Sequence, residues 1–165
     1  LGAVVRAGTF PAVFGVVCHT TTASIDPGRR AIPLGRDAAS EEGVYAENPH
    51  LARLLRTQFQ ALVVGYLDGE LPRHRLPPVP PRLHSFVYRC APAEVRAFTA
   101  RLDFLPLLLR ATLPAGDEVL AACLRGAAAA YPDPGAFLLR AGRELASLLG
   151  GDLPRLILLL RRLTP

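Results

Sequence analysis

The sequence predicts an α+β fold in which strands and one helix come first and a cluster of three to four helices follows. Three observations lead to this prediction. Short runs rich in Val, Phe and Thr alternate with turn residues as far as Cys90. Beyond Cys90, apolar residues recur at helical spacing. Half of the 165 residues are apolar, which is enough for a sizeable core in one compact domain, alone or with an appendage.

Gly and Pro bound the first strand-like runs. Gly8 and Pro11 separate Ala3–Val5 from Val13–Cys18. The continuation His19–Ser24 is rich in Thr, which favours strands. We therefore expect two neighbouring strands joined by a turn.

One helix is predicted between these strands and the later ones. Residues 29–47 are polar and are expected to form a loop, after which Asn48-Pro49 suits a helix start that continues through Arg56. Residues 58–67 and 84–90 are the remaining predicted strands. Asp68-Gly69 suits a turn between them, but the five prolines that follow predict a long, partly extended connection.

The helical half is divided by clear breaks. Pro92 lies near the start of the first predicted helix, and the segment 104–113 is leucine-rich. Two further helices are predicted over 117–130 and 136–149, and Asp152 caps a last one that ends near Leu163. The domain boundaries that follow are 1–90 and 91–165.

Charge and cysteine content exclude several classes of protein. All 19 basic residues are Arg, so the chain has neither a P-loop lysine nor a Schiff-base lysine, and it cannot be a self-contained Walker ATPase. The net charge is +5, and the excess lies in residues 49–110. Three widely spaced cysteines without a CxxC motif favour buried free thiols in a reducing cytoplasm. No apolar run approaches the length of a membrane span.

The sequence predicts no catalytic residue, no metal site, no cofactor and no enzyme activity. Cys18 beside His19, and Cys90 with His84, are more simply explained as buried thiols and isolated histidines. One alternative stays open: a metal-dependent hydrolase built on Asp68 and Glu70, although Asp-Gly is itself a common turn dipeptide.

Two segments are candidate binding sites. The basic segment, residues 73–89, has arginines that can contact phosphates and two aromatic rings at alternate positions. Rings that pack into a core have the same spacing, and this is the interpretation that we favour. If the segment instead binds nucleic acid, the candidate residues are Arg73, Arg75, Arg82, Phe86, Tyr88 and Arg89. The last helix is either a solvated basic helix or a partner-binding one, with Arg155, Leu156, Leu160 and Arg161 as its candidate contacts.

Several segments carry a family resemblance through their order and spacing: VFGVV with HTTTASID, then NPHL, TQFQALVVGY, and PPRLH with VYRC. Together they resemble a small bacterial family, known from cyanobacteria, of HAS-barrel domain proteins. The name refers to a barrel shared by HerA-type DNA translocases and the catalytic subunits of F-type ATP synthases.

The resemblance implies a small, mostly antiparallel β-barrel over 1–90 and a helical extension over 91–165 packed on it. Barrels of this type serve ring assembly and partner contact and carry no catalytic residues. The expected function is therefore a non-enzymatic interaction module whose partner is an ATPase or nuclease, such as a DNA-processing ATPase supplied in trans. Relatives have a further strand before the point at which this chain begins, and a partner strand would complete the edge that its absence exposes.

Overall fold

A computed structural model describes residues 1–25, 40–49 and 55–163 of the chain. The chain divides into two compact units. One contains Leu1–His19 and Gln60–Pro165, and the other contains Thr20–Phe59.

The strands form one five-stranded antiparallel sheet that curls into an open half-barrel. Their bounds are β1 Val4–Ala7, β2 Val13–Ser24, β3 Leu55–Asp68, β4 Leu71–Arg73 and β5 Val87–Arg89. The order β4-β3-β2-β1-β5 places β4 and β5 at the two edges among the described strands. The predicted α+β class is confirmed, and the sheet of the described residues is an open one.

A tight hairpin follows β3. Asp68 pairs with Leu71 across the turn, and Gly69 adopts a positive φ of 62° that residues other than Gly rarely tolerate. The long connection expected directly after Gly69 is therefore interrupted by β4. The last predicted strand is also shorter than expected, because only Val87–Arg89 pairs, with β1.

The helix of the smaller unit ends where the sequence predicted a helix to begin. Helix α1 spans Glu41–Glu47, and the Ser40 side chain accepts a hydrogen bond from Gly43 N at 3.1 Å. Asn48 closes this helix, since its side-chain amide donates to the Val44 carbonyl at 3.0 Å. The prediction that Asn48 is an N-cap is wrong, because Asn also suits helix C-termini. The predicted helix then falls partly on 50–54, outside the described residues, and its end belongs to β3.

Five helices occupy the C-terminal half, where three to four were expected. They are α2 Pro92–Thr99, α3 Leu105–Arg110, α4 Gly116–Ala128, α5 Pro134–Leu148 and α6 Leu153–Leu163. The predicted N-terminal signals are confirmed: Pro92 occupies the first turn of α2, and Asp152 accepts from Arg155 N at 3.2 Å at the start of α6. The additional helix is α3, within the leucine-rich segment. No helix in the described ranges is both long and apolar enough to cross a bilayer.

Strands and helices of the larger unit share one hydrophobic core. Phe98 of α2 is its central aromatic residue, with ring centroids 4.5 Å from Phe14 of β2 and 5.3 Å from Phe104. Val16 and Val64 bring β2 and β3 into the same cluster, and both are fully buried. The division at residue 90 into two domains stays a prediction, and the core residues come from both sides of it.

Candidate functional site

The two aromatic residues of the basic segment lie at the surface. Phe86 is 76% exposed and Tyr88 is 54% exposed, with ring centroids 6.3 Å apart. The interpretation that we favoured from the sequence, a core stripe, is therefore wrong. The reason is the position of β5 at the edge of the sheet, where all three of its residues are exposed and Cys90 is the first buried residue after it.

Other apolar side chains extend this exposed surface. Phe10, in the turn between β1 and β2, is 90% exposed. Val79 is also exposed and belongs to the proline-rich residues 77–81, which we call the proline segment. Together with Phe86 and Tyr88 they line a groove of about 650 Å³ between the turn and the proline segment. We call these four residues the aromatic surface. Large exposed apolar clusters on a protein are typical of binding sites.

The outer edge of β5 offers backbone hydrogen-bonding groups beside this surface. Cys90 N donates to the Val4 carbonyl at 3.0 Å, and the Phe86 carbonyl accepts from Gly8 N. Because backbone groups alternate in direction along a strand, the peptide groups of Val87 and Arg89 point away from β1. Among the described strands nothing pairs with this side of β5, so it can accept an additional strand.

The predicted basic residues divide between two places. Arg73 lies on β4, at the opposite edge of the sheet from β5, and its Nε is 3.2 Å from the Asp68 carboxylate. Arg75 donates to the Tyr66 hydroxyl at 3.2 Å. Arg82 lines the groove of the aromatic surface, whereas Arg89 lies on the opposite face of β5 from Phe86 and Tyr88. Both are exposed, and neither forms an ion pair with any residue that the structure describes.

Sequence reasoning missed two residues of this site, Phe10 and Arg6. Arg6 lies opposite Tyr88 in the β1–β5 ladder, with its guanidinium 5.9 Å from the ring centroid. The Nε atom of Arg6 lies 2.9 Å from the Glu94 carboxylate, and this ion pair links β1 to α2. The donor angle at Nε is too poor for the contact to be a hydrogen bond. These residues reach the site because β1 pairs with β5, which lies far away in the sequence. No local sequence pattern predicts this pairing.

His74, between Arg73 and Arg75, is half-buried and packs against the core. Its Nε2–H donates to the Phe98 carbonyl at 2.9 Å, and its ring packs edge-on against Phe98 and Phe104, with centroids at 4.6 and 5.5 Å. Burial lowers the pKa of His74 below its ordinary value, because the charged imidazolium is poorly solvated there. The segment around it is therefore anchored to α2.

The four candidate residues of the last helix have different roles. Arg155 forms a bidentate ion pair with Asp117 of α4, at 2.7 Å for the closest contact, and this hydrogen bonding raises the pKa of its guanidinium. Leu156 is buried in the core. Leu160 is partly exposed and Arg161 is exposed, so only this pair is open to an external partner.

Among the residues considered for chemistry, Asp68 is paired and the cysteines are buried, whereas His19, Glu70 and His84 are exposed. Asp68 pairs with Arg73, as described above, and Cys18, Cys90 and Cys123 are buried free thiols. Burial raises the pKa of both Cys90 and Cys123 to about 12, so these two stay protonated at neutral pH. Within residues 1–25, 40–49 and 55–163 no three His, Cys, Asp or Glu side chains are grouped so as to hold a metal ion.

The candidate site is thus an open strand edge flanked by exposed aromatic rings and the exposed Arg82. Such a surface can add a strand through its backbone and can stack flat groups on its rings. Comparison of the chain with protein-family models, with curated proteins and with solved structures finds no match, so the resemblance to HAS-barrel proteins stays a prediction.

Proposed function

We propose that this chain is a non-enzymatic interaction module that binds a partner protein through the outer edge of β5 and the aromatic surface. The observation that carries the proposal is the exposure of Phe86 and Tyr88 beside a strand edge that the described strands leave unpaired. Exposed strand edges are normally protected in soluble proteins, because they pair readily with other chains. An edge with aromatic side chains beside it favours strand addition.

The partner contributes an extended segment in this proposal. Its backbone pairs with the outward peptide groups of Val87 and Arg89, and an apolar side chain enters the groove between Phe10 and Phe86. The added strand extends the open half-barrel toward the barrel that the HAS-barrel resemblance implies. By the same resemblance the partner is a DNA-processing ATPase supplied in trans, which agrees with a chain that has no lysine of its own.

Two substitutions at one position test the use of the edge. Val87→Pro removes the outward backbone donor but leaves the ladder to β1 intact, because Pro is tolerated on an edge strand whose N–H faces solvent. Val87→Thr keeps the donor, the shape and the β-branching and serves as the control. The three chains are used to capture a partner from native lysate. We expect the wild-type chain and Val87→Thr to recover the same partner and Val87→Pro to recover none of it.

The recovered partner is then purified, and its binding to the three chains is measured by calorimetry. We expect Val87→Pro to weaken binding at least about tenfold, since strand addition depends on main-chain hydrogen bonds. Equal affinity for the Pro and Thr variants would reject the edge as the binding site. ATP hydrolysis by the partner, measured with and without the chain, tests the assignment to an ATPase.

A second candidate function is binding of single-stranded nucleic acid. The exposure of Phe86 and Tyr88, with Arg82 lining the same groove, favours it, because bases stack on exposed rings and phosphates pair with arginine. Fluorescence anisotropy with a labelled oligonucleotide, repeated at rising salt concentration, tests it. Steeply salt-dependent binding that Phe86→Ala weakens supports this function, and an absence of binding at low salt removes it.

A further inference from the structure

A second apolar surface lies on helices α5 and α6, away from every residue of the β5 edge. It is a shallow groove of about 500 Å³ lined mainly by aliphatic and small side chains. Leu139, Gly142 and Ala146 form its floor on α5, and Leu160 contributes from α6. The three α5 residues are spaced by three and four, so they lie on one face of that helix.

Gly142 determines how closely the two helices approach. A Cβ atom at this position would lie 3.1 Å from Leu160 Cδ2, so Leu160 packs directly on the α5 backbone. Gly142 and Ala146 therefore keep the α5 side of the groove low, and Leu160 forms its α6 side. Grooves of this kind accept amphipathic helices through apolar residues at i, i+3 or i+4, and i+7.

Helix α6 has more apolar surface than its own packing uses. Leu156, Leu159 and Leu163 are buried against the core, as one face of an amphipathic helix should be. Leu153, Ile157 and Leu160 form a second stripe at spacings of four and three, and all three are at least partly exposed. A helix that is apolar on two faces is usually covered on both.

The charges around the groove indicate what covers it. Arg143 lines the groove, whereas Arg161 lies on α6 outside the groove lining; neither pairs with an acidic side chain anywhere in the described part of the chain. The other arginines of these two helices are occupied: Arg140 donates to the Thr99 and Ala100 carbonyls, Arg155 pairs with Asp117, and Arg162 pairs with Glu118. The groove is thus apolar at its centre and positive beside it.

We propose that this groove binds an amphipathic helix of a partner protein whose apolar face is flanked by Asp or Glu. An acidic helix would pair with Arg143, whereas a second copy of this chain would bring another positively charged groove against this one. The site uses none of the residues of the β5 edge, so it stands independently of the function proposed above.

A designed helix serves as the probe. A labelled peptide of about 16 residues, with Leu at i, i+3, i+4 and i+7 and Glu beside them, is titrated with the full chain and followed by anisotropy. A peptide of the same composition in scrambled order lacks the apolar face, and a third peptide replaces Glu with Lys. We expect binding of the acidic helix only, weakening as salt rises.

Variants of α5 locate the binding. Leu139→Glu places a charge at the groove floor, and Arg143→Glu reverses the charge beside it; each should weaken binding of the acidic peptide at least about tenfold. Arg143→Glu should also improve binding of the Lys peptide. Leu148→Glu, on the same helix at an exposed position outside the groove, is the matched control and should bind as the wild type does. Thermal unfolding of each variant confirms that it is folded.

Three results would overturn the proposal. The first is that the acidic peptide does not bind, or that the scrambled peptide binds as well as it does. The second is that Leu139→Glu and Leu148→Glu have the same effect. The third is dimerisation of the wild-type chain, measured by sedimentation, that Leu139→Glu abolishes, because the groove would then be occupied by a second copy.

Discussion

Gly65 occupies a position where the larger unit has no room for a side chain. A Cβ atom there would lie 2.4 Å from the Arg73 carbonyl oxygen and 2.8 Å from Phe98 Cε2. The first neighbour is backbone of β4 and the second is a buried ring, so relief requires movement of the core. We expect Gly65→Ala to lower the free energy of unfolding by about 1–3 kcal/mol, measured by urea denaturation.

Gly126 is the matched control for that substitution. It lies within α4, and an added Cβ meets nothing within 4 Å. Gly126→Ala should therefore raise the free energy of unfolding by about 0.5–1 kcal/mol, since Ala is the better helix former. If Gly65→Ala left the free energy of unfolding unchanged or raised it as Gly126→Ala should, the close approach of β3, β4 and α2 at Gly65 would be contradicted.

Substitution of Phe98 and of Phe86 by Ala tests which of these aromatic residues belongs to the core. Phe98 is 1% exposed and Phe86 is 76% exposed. We expect Phe98→Ala to lower the free energy of unfolding by about 3–5 kcal/mol, because it leaves a large cavity. Phe86→Ala should change it by no more than about 0.5 kcal/mol. Equilibrium urea denaturation of both variants checks this difference, and a large loss at Phe86 would restore the core interpretation of that ring.

At the scale of elements, His74 connects the end of β4 to α2 and makes this junction sensitive to pH. Burial lowers its pKa in the folded state below the unfolded value of 6.5. The unfolded chain therefore binds a proton more readily, and protonation favours unfolding. The free energy of unfolding should therefore fall as the pH drops below about 6.5. The loss continues until the pH lies below the folded-state pKa of His74, where it is complete.

The comparison of two glutamine variants isolates this contribution. His74→Gln does not titrate, and its amide can still donate to the Phe98 carbonyl. We expect its stability to change less between pH 7.5 and 5 than that of the wild type, followed by urea denaturation at each pH. His84→Gln replaces an exposed histidine in the same way and is the matched control. An unchanged pH dependence in His74→Gln would show that other groups are responsible.

Elements with strong local signals could be predicted from the sequence, and elements defined by distant pairing could not. Pro92 and Asp152 mark helix starts because Pro suits the first turn and an Asp side chain accepts from free N–H groups, and both act locally. Asn48 misled the prediction because the same side chain can close a helix as well as open one. The alternation of Phe86 and Tyr88 predicts a two-faced strand but not which face is covered, since that depends on the neighbours of β5.

At the scale of the whole molecule, the α+β class follows from the order of patterns along the chain, whereas the candidate site does not. The aromatic surface needs the turn at Phe10 beside the proline segment near Val79, which are about seventy positions apart in the sequence. The groove on α5 and α6 needs Gly142 opposite Leu160. Spacing within one element reveals a face, but only the packing of elements shows which faces stay exposed.

The shared core leads to a final prediction about the division at residue 90. A chain ending at Cys90 would keep every strand but lose Phe98 and Phe104, against which the sheet packs. Val16 and Val64 would then become exposed, and a sheet with an uncovered apolar face is not expected to fold alone. We expect the fragment 1–90 to lack near-UV circular dichroism and amide chemical-shift dispersion, and the full chain to show both. A dispersed spectrum from 1–90 alone would instead support the two domains that the sequence predicts.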